Sequence, residues 1–147
     1  MAVVGPGRAG AAETELAEAV GRGIAEREAV LVCGGLGGVM EAACRGAVEA
    51  GGQTVGILPG LDRGQANPHV RVAVPTGMGE ARNALVVRAA DALIAISGEW
   101  GTLSEIALAM KTGKTVVGLG TWELDGIARA EGAEDAVERA LTAASTA

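Results

Sequence analysis

Residues 90–119 read ADALIAISGEWGTLSEIALAMKTGKTVVGL, and this stretch decides the fold. Ala92 to Ile96 is a short unbroken apolar run, as expected for a parallel strand covered on both faces. Ser97 to Gly101 is a glycine turn, Thr102 to Thr112 reads as a helix, and Gly113 stops it. Thr115 to Leu119 then begins a second apolar strand. Strand, turn, helix and strand joined by links this short predict a right-handed crossover in a parallel sheet.

The same grammar runs outward to both ends. Ala2 to Val4 reads as a strand, Gly5-Pro6-Gly7 as a turn, and Ala12 to Arg27 as a helix with Leu16, Val20, Gly23 and Ile24 on its apolar face. Ala29 to Cys33 is the next strand and ends in Gly34-Gly35-Leu36-Gly37-Gly38. A helix follows from Val39 to Ala50, buried along Met40, Ala43, Cys44 and Ala47, with Glu41, Arg45 and Glu49 spaced for i,i+4 pairs on its wet face. Thr54 to Leu58 is a strand, and residues 60–69 form a polar surface loop, a candidate lid. Val70, Val72 and Val74 alternate with Arg71 and Ala73, which predicts a half-buried strand near an edge. The turn from Pro75 to Gly79 leads into a helix from Glu80 to Ala90, and a closing helix spans Ala133 to Ala143, with residues 142–147 expected to fray. The prediction is an α/β fold: a single Rossmann-like three-layer domain over residues 1–147, with a mostly parallel sheet and helices on both faces.

Composition narrows the function classes. With two Trp and no Phe or Tyr, the core must be built from Val, Ile, Leu, Ala and Met. The net charge of −6 repels a phosphodiester backbone, so nucleic acid is not an expected partner. No apolar run approaches the ~20 residues that span a bilayer, and no signal peptide is visible, so a cytoplasmic protein with no membrane partner is expected. Cys33 and Cys44 lack C-x-x-C spacing and read as reduced, buried hydrophobes.

In an open parallel sheet the ligand crevice lies at the carboxyl ends of the strands. Glycine turns fall on that one edge: Gly5 and Gly7; Gly34, Gly35, Gly37 and Gly38; Thr76, Gly77 and Met78; and Ser97, Gly98, Glu99, Trp100, Gly101 and Thr102. Glycine lets backbone N–H groups approach a ligand, and a following helix adds its positive end, which suits phosphate. Residues 5–10 match the dinucleotide pattern G-x-G-x-x-G, but the second strand ends at Cys33-Gly34 without the acid that holds a ribose. Gly113-Lys114-Thr115 mimics a P-loop ending but runs from helix to strand, the wrong way round. His69 is the single histidine, and no cluster has metal-ligand spacing, so neither a metal nor a resident cofactor is expected. Arg82 can clamp a phosphate or lie on the surface. Thr102 and Glu105 have capping-box spacing, so Glu105 can cap its helix, hold a ribose hydroxyl or stabilise a developing cation. At a positive helix end it should stay ionised unless desolvation wins.

Several segments together resemble one family: GGLGGVMEAACRGAVEAGG from Gly34, ILPG from Ile57, ANPHV from Ala66, the run from Pro75 to Leu119, and TW at Thr121. They resemble the LOG-like (Lonely Guy) superfamily, also labelled lysine decarboxylase-like. The likeness is greatest to a short bacterial branch of unassigned activity that includes relatives of the molybdenum-cofactor carrier protein. Active members of the superfamily are nucleotide phosphoribohydrolases, which release free base and ribose 5-phosphate. Their motif P-G-G-x-G-T-x-x-E aligns with Ser97 through Glu105. The resemblance implies that Gly98, Gly101 and Thr102 cradle a phosphate and that Arg82 and Glu105 are catalytic. The family's arginine-lysine pair falls on Arg82-Asn83, and Ser97 and Glu99 replace the motif's proline and second glycine. The implied ligand is a nucleoside monophosphate or a related phosphate-bearing molecule, held either for hydrolysis or by a non-catalytic carrier or sensor of a nucleotide or molybdopterin-type cofactor. True lysine decarboxylation is not implied, since no candidate site for pyridoxal phosphate is present. The resemblance also implies a homodimer or larger homo-oligomer.

Overall fold

Alternate residues of the strands enter two separate cores, and this produces three layers. The computed structural model describes residues 1–146. Seven strands form one sheet in the order β4-β3-β2-β1-β5-β6-β7: β1 Ala2–Val4, β2 Leu31–Cys33, β3 Thr54–Leu58, β4 Val72–Pro75, β5 Ala92–Ile96, β6 Thr115–Leu119 and β7 Ala128–Arg129. Every pairing is parallel. Val3, Ile94, Ile96 and Val117 point into a core shared with helices α1 (Ala11–Glu26), α2 (Val39–Glu49) and α5 (Ala133–Ser145). Ala2, Val4, Leu93, Ala95 and Val116 point the other way, against α3 (Asn83–Arg88) and α4 (Trp100–Lys111). Burying each Val, Leu or Ile contributes about 1.5–3 kcal/mol.

Two glycines set how closely α1 and α2 pack. A Cβ on Gly21 would stand 1.9 Å from the Ala43 carbonyl oxygen, and one on Gly46 would stand 2.0 Å from that of Glu18. This close approach redirects the charges of α2. The expected i,i+4 pairing of Glu41, Arg45 and Glu49 is not what forms: Arg45 reaches Glu18 at 3.2 Å, and Glu49 reaches Arg22 at 4.0 Å, both across to α1.

Other boundaries also differ from expectation. Strand β2 begins at Leu31, because Ala29 and Val30 lie at the open amino edge, where the Met1 ammonium bonds the Val30 carbonyl at 2.9 Å. The helix expected from Glu80 splits into a 3-10 turn, Gly79–Arg82, followed by α3. Helix α5 runs through Ser145, so residues 142–145 are helical; Ala147 lies outside the described residues. Strand β7 has two residues, too few to show a period. Residues 60–69 hold a short 3-10 turn, Arg63–Gln65, and are pinned rather than free. Asn67 receives no backbone slack: its N–H bonds the Gly35 carbonyl at 2.9 Å and its side-chain amide bonds that of Leu36 at 2.9 Å.

The chain passes outward from β1 through β4, then crosses back to lay β5 on the other side of β1. The sheet's switch point therefore lies between β1 and β5. The turns after these two strands, 5–7 and 97–101, flank the crevice where ligands of open α/β sheets bind.

Candidate functional site

A cavity of about 230 Å³ opens at that switch point. Gly5, Gly7, Arg82, Asn83, Glu99, Gly101, Thr102 and Glu105, eight of the residues singled out from sequence, contribute to its wall. Pro6, Leu36, Met40 and Glu80 complete it. Leu36 and Met40 carry no chemical signature in sequence, and only the folding of the glycine-rich turn over α2 brings them there.

Arg82 is not a surface arginine; it is 8% exposed. Its Nε donates to the Ile57 carbonyl at 2.8 Å and an Nη to that of Gly34 at 3.4 Å, at the carboxyl ends of β3 and β2. Its other Nη donates to the Asn83 side-chain carbonyl. The guanidinium thus ties the sheet edge together and still keeps N–H donors in reserve for an anion. Burial lowers its pKa, and the nearby Glu105 opposes that shift. Gly34 is small for Arg82's sake: a Cβ there would stand 2.6 Å from the guanidinium. Asn83 donates onward to the Ser104 hydroxyl at 3.1 Å, which donates to the Gly101 carbonyl at 2.6 Å. This relay connects Arg82 to the first turn of α4, and Ser104 was not foreseen as part of it.

Helix α4 starts two residues earlier than expected, and this reassigns its cap. Glu99 is the N-cap, and its N–H bonds the Thr102 hydroxyl at 3.3 Å. The capping box read between Thr102 and Glu105 is therefore not formed; Thr102 is the third helical residue and Glu105 lies a turn further in. Glu105 is 7% exposed, and desolvation raises its pKa to about 7, with Arg82 opposing. Desolvation thus outweighs the helix end, the condition under which Glu105 does not stay fully ionised. No ion pair joins Arg82 to Glu105 among the described residues. The amides of Trp100, Gly101 and Thr102 form the open first turn of α4, a place for an anion. Exposed Glu99 and Glu80 share that wall, so the cavity carries less negative charge when Glu105 is protonated.

The other singled-out residues serve elsewhere. Gly35 and Gly38 take positive φ to turn the loop, Gly38 packing against Pro6 and Gly7, and Gly37 lies beside Gly7. Thr76 donates to the Leu58 carbonyl at 2.7 Å and accepts from the Met78 N–H at 3.2 Å. Thr76, Gly77 and Met78 thus build a turn outside the cavity wall. Ser97 and Gly98 line a different cleft from Glu99 and Gly101, together with Trp122, and the Trp100 ring lies beside that of Trp122. Cys33 and Cys44 are free and buried, with sulfurs 3.5 Å apart. Among the described residues no group of His, Cys, Asp and Glu could hold a metal, and no helix is long and apolar enough to cross a membrane.

The model of the SLOG cluster4 family matches residues 1–146. The chain belongs to the SLOG cluster4 family. An uncharacterized protein of Archaeoglobus fulgidus is 44% identical over 119 residues, which are 81% of this chain and 78% of that protein. Among solved structures, this SLOG chain is similar to the molybdenum cofactor binding protein of Rippkaea orientalis: 36% identity, TM-score 0.91, 96% of this chain and 94% of that one. It is also similar to the molybdenum cofactor carrier protein of Chlamydomonas reinhardtii, at 32% identity and TM-score 0.89 over 98% and 97% of the two chains. The DNA processing protein A of Streptococcus pneumoniae shares the SLOG chain's fold at TM-score 0.74 over 93% of this chain and 60% of its own, with 22% identity.

Proposed function

We propose that this SLOG protein binds and carries an intact phosphate-bearing cofactor of the molybdenum-cofactor type, with the phosphate in the cavity between Arg82 and the first turn of α4. The carrying observation is its similarity, over nearly the whole of both chains, to a molybdenum cofactor binding protein and a molybdenum cofactor carrier protein. The site's chemistry supports the reading. Arg82 spends donors on two backbone carbonyls and on Asn83, Asn83 stands where the hydrolases have lysine, and the acidic Glu99 stands where their loop has glycine. Such a site holds an anion but has few groups free to drive a bond cleavage. Molybdenum cofactor released from a molybdoenzyme and mixed with the protein should co-elute with it and then restore a cofactor-free molybdoenzyme. Retention no greater than on serum albumin overturns the reading.

A second reading is hydrolysis of a nucleoside monophosphate, favoured by the placement of Arg82 and Glu105 on one cavity with the glycine loop. It requires AMP to yield adenine and ribose 5-phosphate, with loss of that release in Arg82→Ala and Glu105→Ala. Intact AMP at high protein concentration leaves the carrier reading alone. A homodimer or larger assembly is part of the proposal. Its exposed candidates are Val72 and Val74 on the edge strand β4, with Leu61 and Met78 in the adjoining loops.

A further inference from the structure

The chain has two tryptophans and no Phe or Tyr; Trp122 is half-buried and packs one side against the core under α3 and α4, whereas Trp100 stands outside it. Trp100, in the first turn of α4, is 82% exposed, and Trp122 follows β6. Their ring centroids lie 6.5 Å apart with planes tilted by 32°, so they form one aromatic pair on the carboxyl edge of the sheet. The Trp100 indole stands in water beside the outer side of the half-buried Trp122.

Three further features surround the pair. A cleft of about 260 Å³ is lined by Ser97, Gly98, Gly120, Thr121 and Trp122. Gly98 touches the six-membered ring of the indole, since a Cβ there would stand 2.1 Å from it. The Thr121 hydroxyl is buried and makes no hydrogen bond among the described residues, an uncompensated cost for a polar group. The loop 97–101 separates this cleft from the Arg82 cavity, with Ser97 and Gly98 on one side and Glu99 and Gly101 on the other.

We infer that this cleft is a second subsite, which takes a planar heteroaromatic ring against Trp122, with Trp100 at its exposed border and the Thr121 hydroxyl serving the ring's polar edge. The inference rests on the reading that the carboxyl edge holds a small cofactor, and it assigns the cofactor's ring and its phosphate to opposite sides of one loop. Purines and pterins share the chemistry the cleft recognises: a flat π-face for stacking and a row of donors and acceptors along one edge.

Because the tryptophans all lie at the site, intrinsic fluorescence reports on it directly. The full chain is titrated with adenosine, neopterin and ribose 5-phosphate, with affinities taken from equilibrium dialysis. Adenosine or neopterin should quench the emission saturably. Trp100→Ala should weaken the ring compounds about tenfold and leave ribose 5-phosphate unchanged. Thr121→Val, which removes the unpartnered hydroxyl of the cleft and keeps the side chain's shape, should show the same selective loss at an unfolding midpoint that confirms a folded protein. A preference for neopterin identifies a pterin as the occupant, and a preference for adenosine identifies a purine. Equal binding of ring compounds to wild type and Trp100→Ala overturns the subsite, as does failure of both to bind. The two proposals fail separately: ring compounds that bind through the tryptophans, with no retention of molybdenum cofactor, keep the subsite and remove the cargo.

Discussion

Glu105 carries the clearest pH dependence in the molecule. Its pKa of about 7, raised by burial, exceeds that of the unfolded chain, so between roughly pH 4.5 and 7 the folded state binds more protons. Stability therefore falls as pH rises through this window, by about 3 kcal/mol if this group acts alone. Glu105→Gln should remove the slope, and urea unfolding at pH 5 and pH 8 measures it. The same proton bears on the proposed anion site. Sulfate, which does not titrate here, should bind wild type more tightly at pH 6 than at pH 8, and the Gln variant should bind it equally at both. Arg82 is the other sensitive residue. Arg82→Lys cannot reproduce the bonds to Ile57, Gly34 and Asn83 together, and the loss should be on the order of 2–3 kcal/mol, read from urea midpoints.

The α1–α2 pair is the element most intolerant of added volume. Gly21→Ala or Gly46→Ala drives a methyl group into a facing backbone carbonyl, which no rotamer change relieves. Each should destabilise by about 1–3 kcal/mol or more despite alanine's better helix propensity, as a lower thermal midpoint would show. The chain itself gave notice of helices and of Gly34 to Gly38 as a turn, but not of this contact, since a glycine within a helical period looks merely weak. Element boundaries failed at α4 for a related reason. The pattern Thr102-x-x-Glu105 fits a capping box, and only the extended conformation of Glu99 shows that the cap lies earlier.

At the scale of the molecule, ligand and partner effects become measurable. A phosphate-bearing cargo that binds the folded state alone should raise the thermal midpoint in proportion to its logarithmic excess over Kd, about 2.7 kcal/mol at a hundredfold excess. Light scattering on an eluting peak should report a dimer or larger species, and Val74→Lys on β4 should shift it toward monomer.

The parallel three-layer fold was determined by the sequence itself. Unbroken apolar strands such as Ala92 to Ile96, followed by glycine turns and helices of definite period, leave no other economical arrangement. Sequence also placed Arg82, Glu105 and the loop 97–101 on one sheet edge, because strand ends in a parallel sheet share a side. What each of these residues does was decided only by the tertiary structure. Burial of Arg82 against two strand ends, the desolvation that lifts Glu105, and the division of one loop between two clefts all depend on surroundings supplied by distant segments. Local pattern records which face a residue takes, whereas charge state and hydrogen-bond partners depend on what the whole chain packs around it.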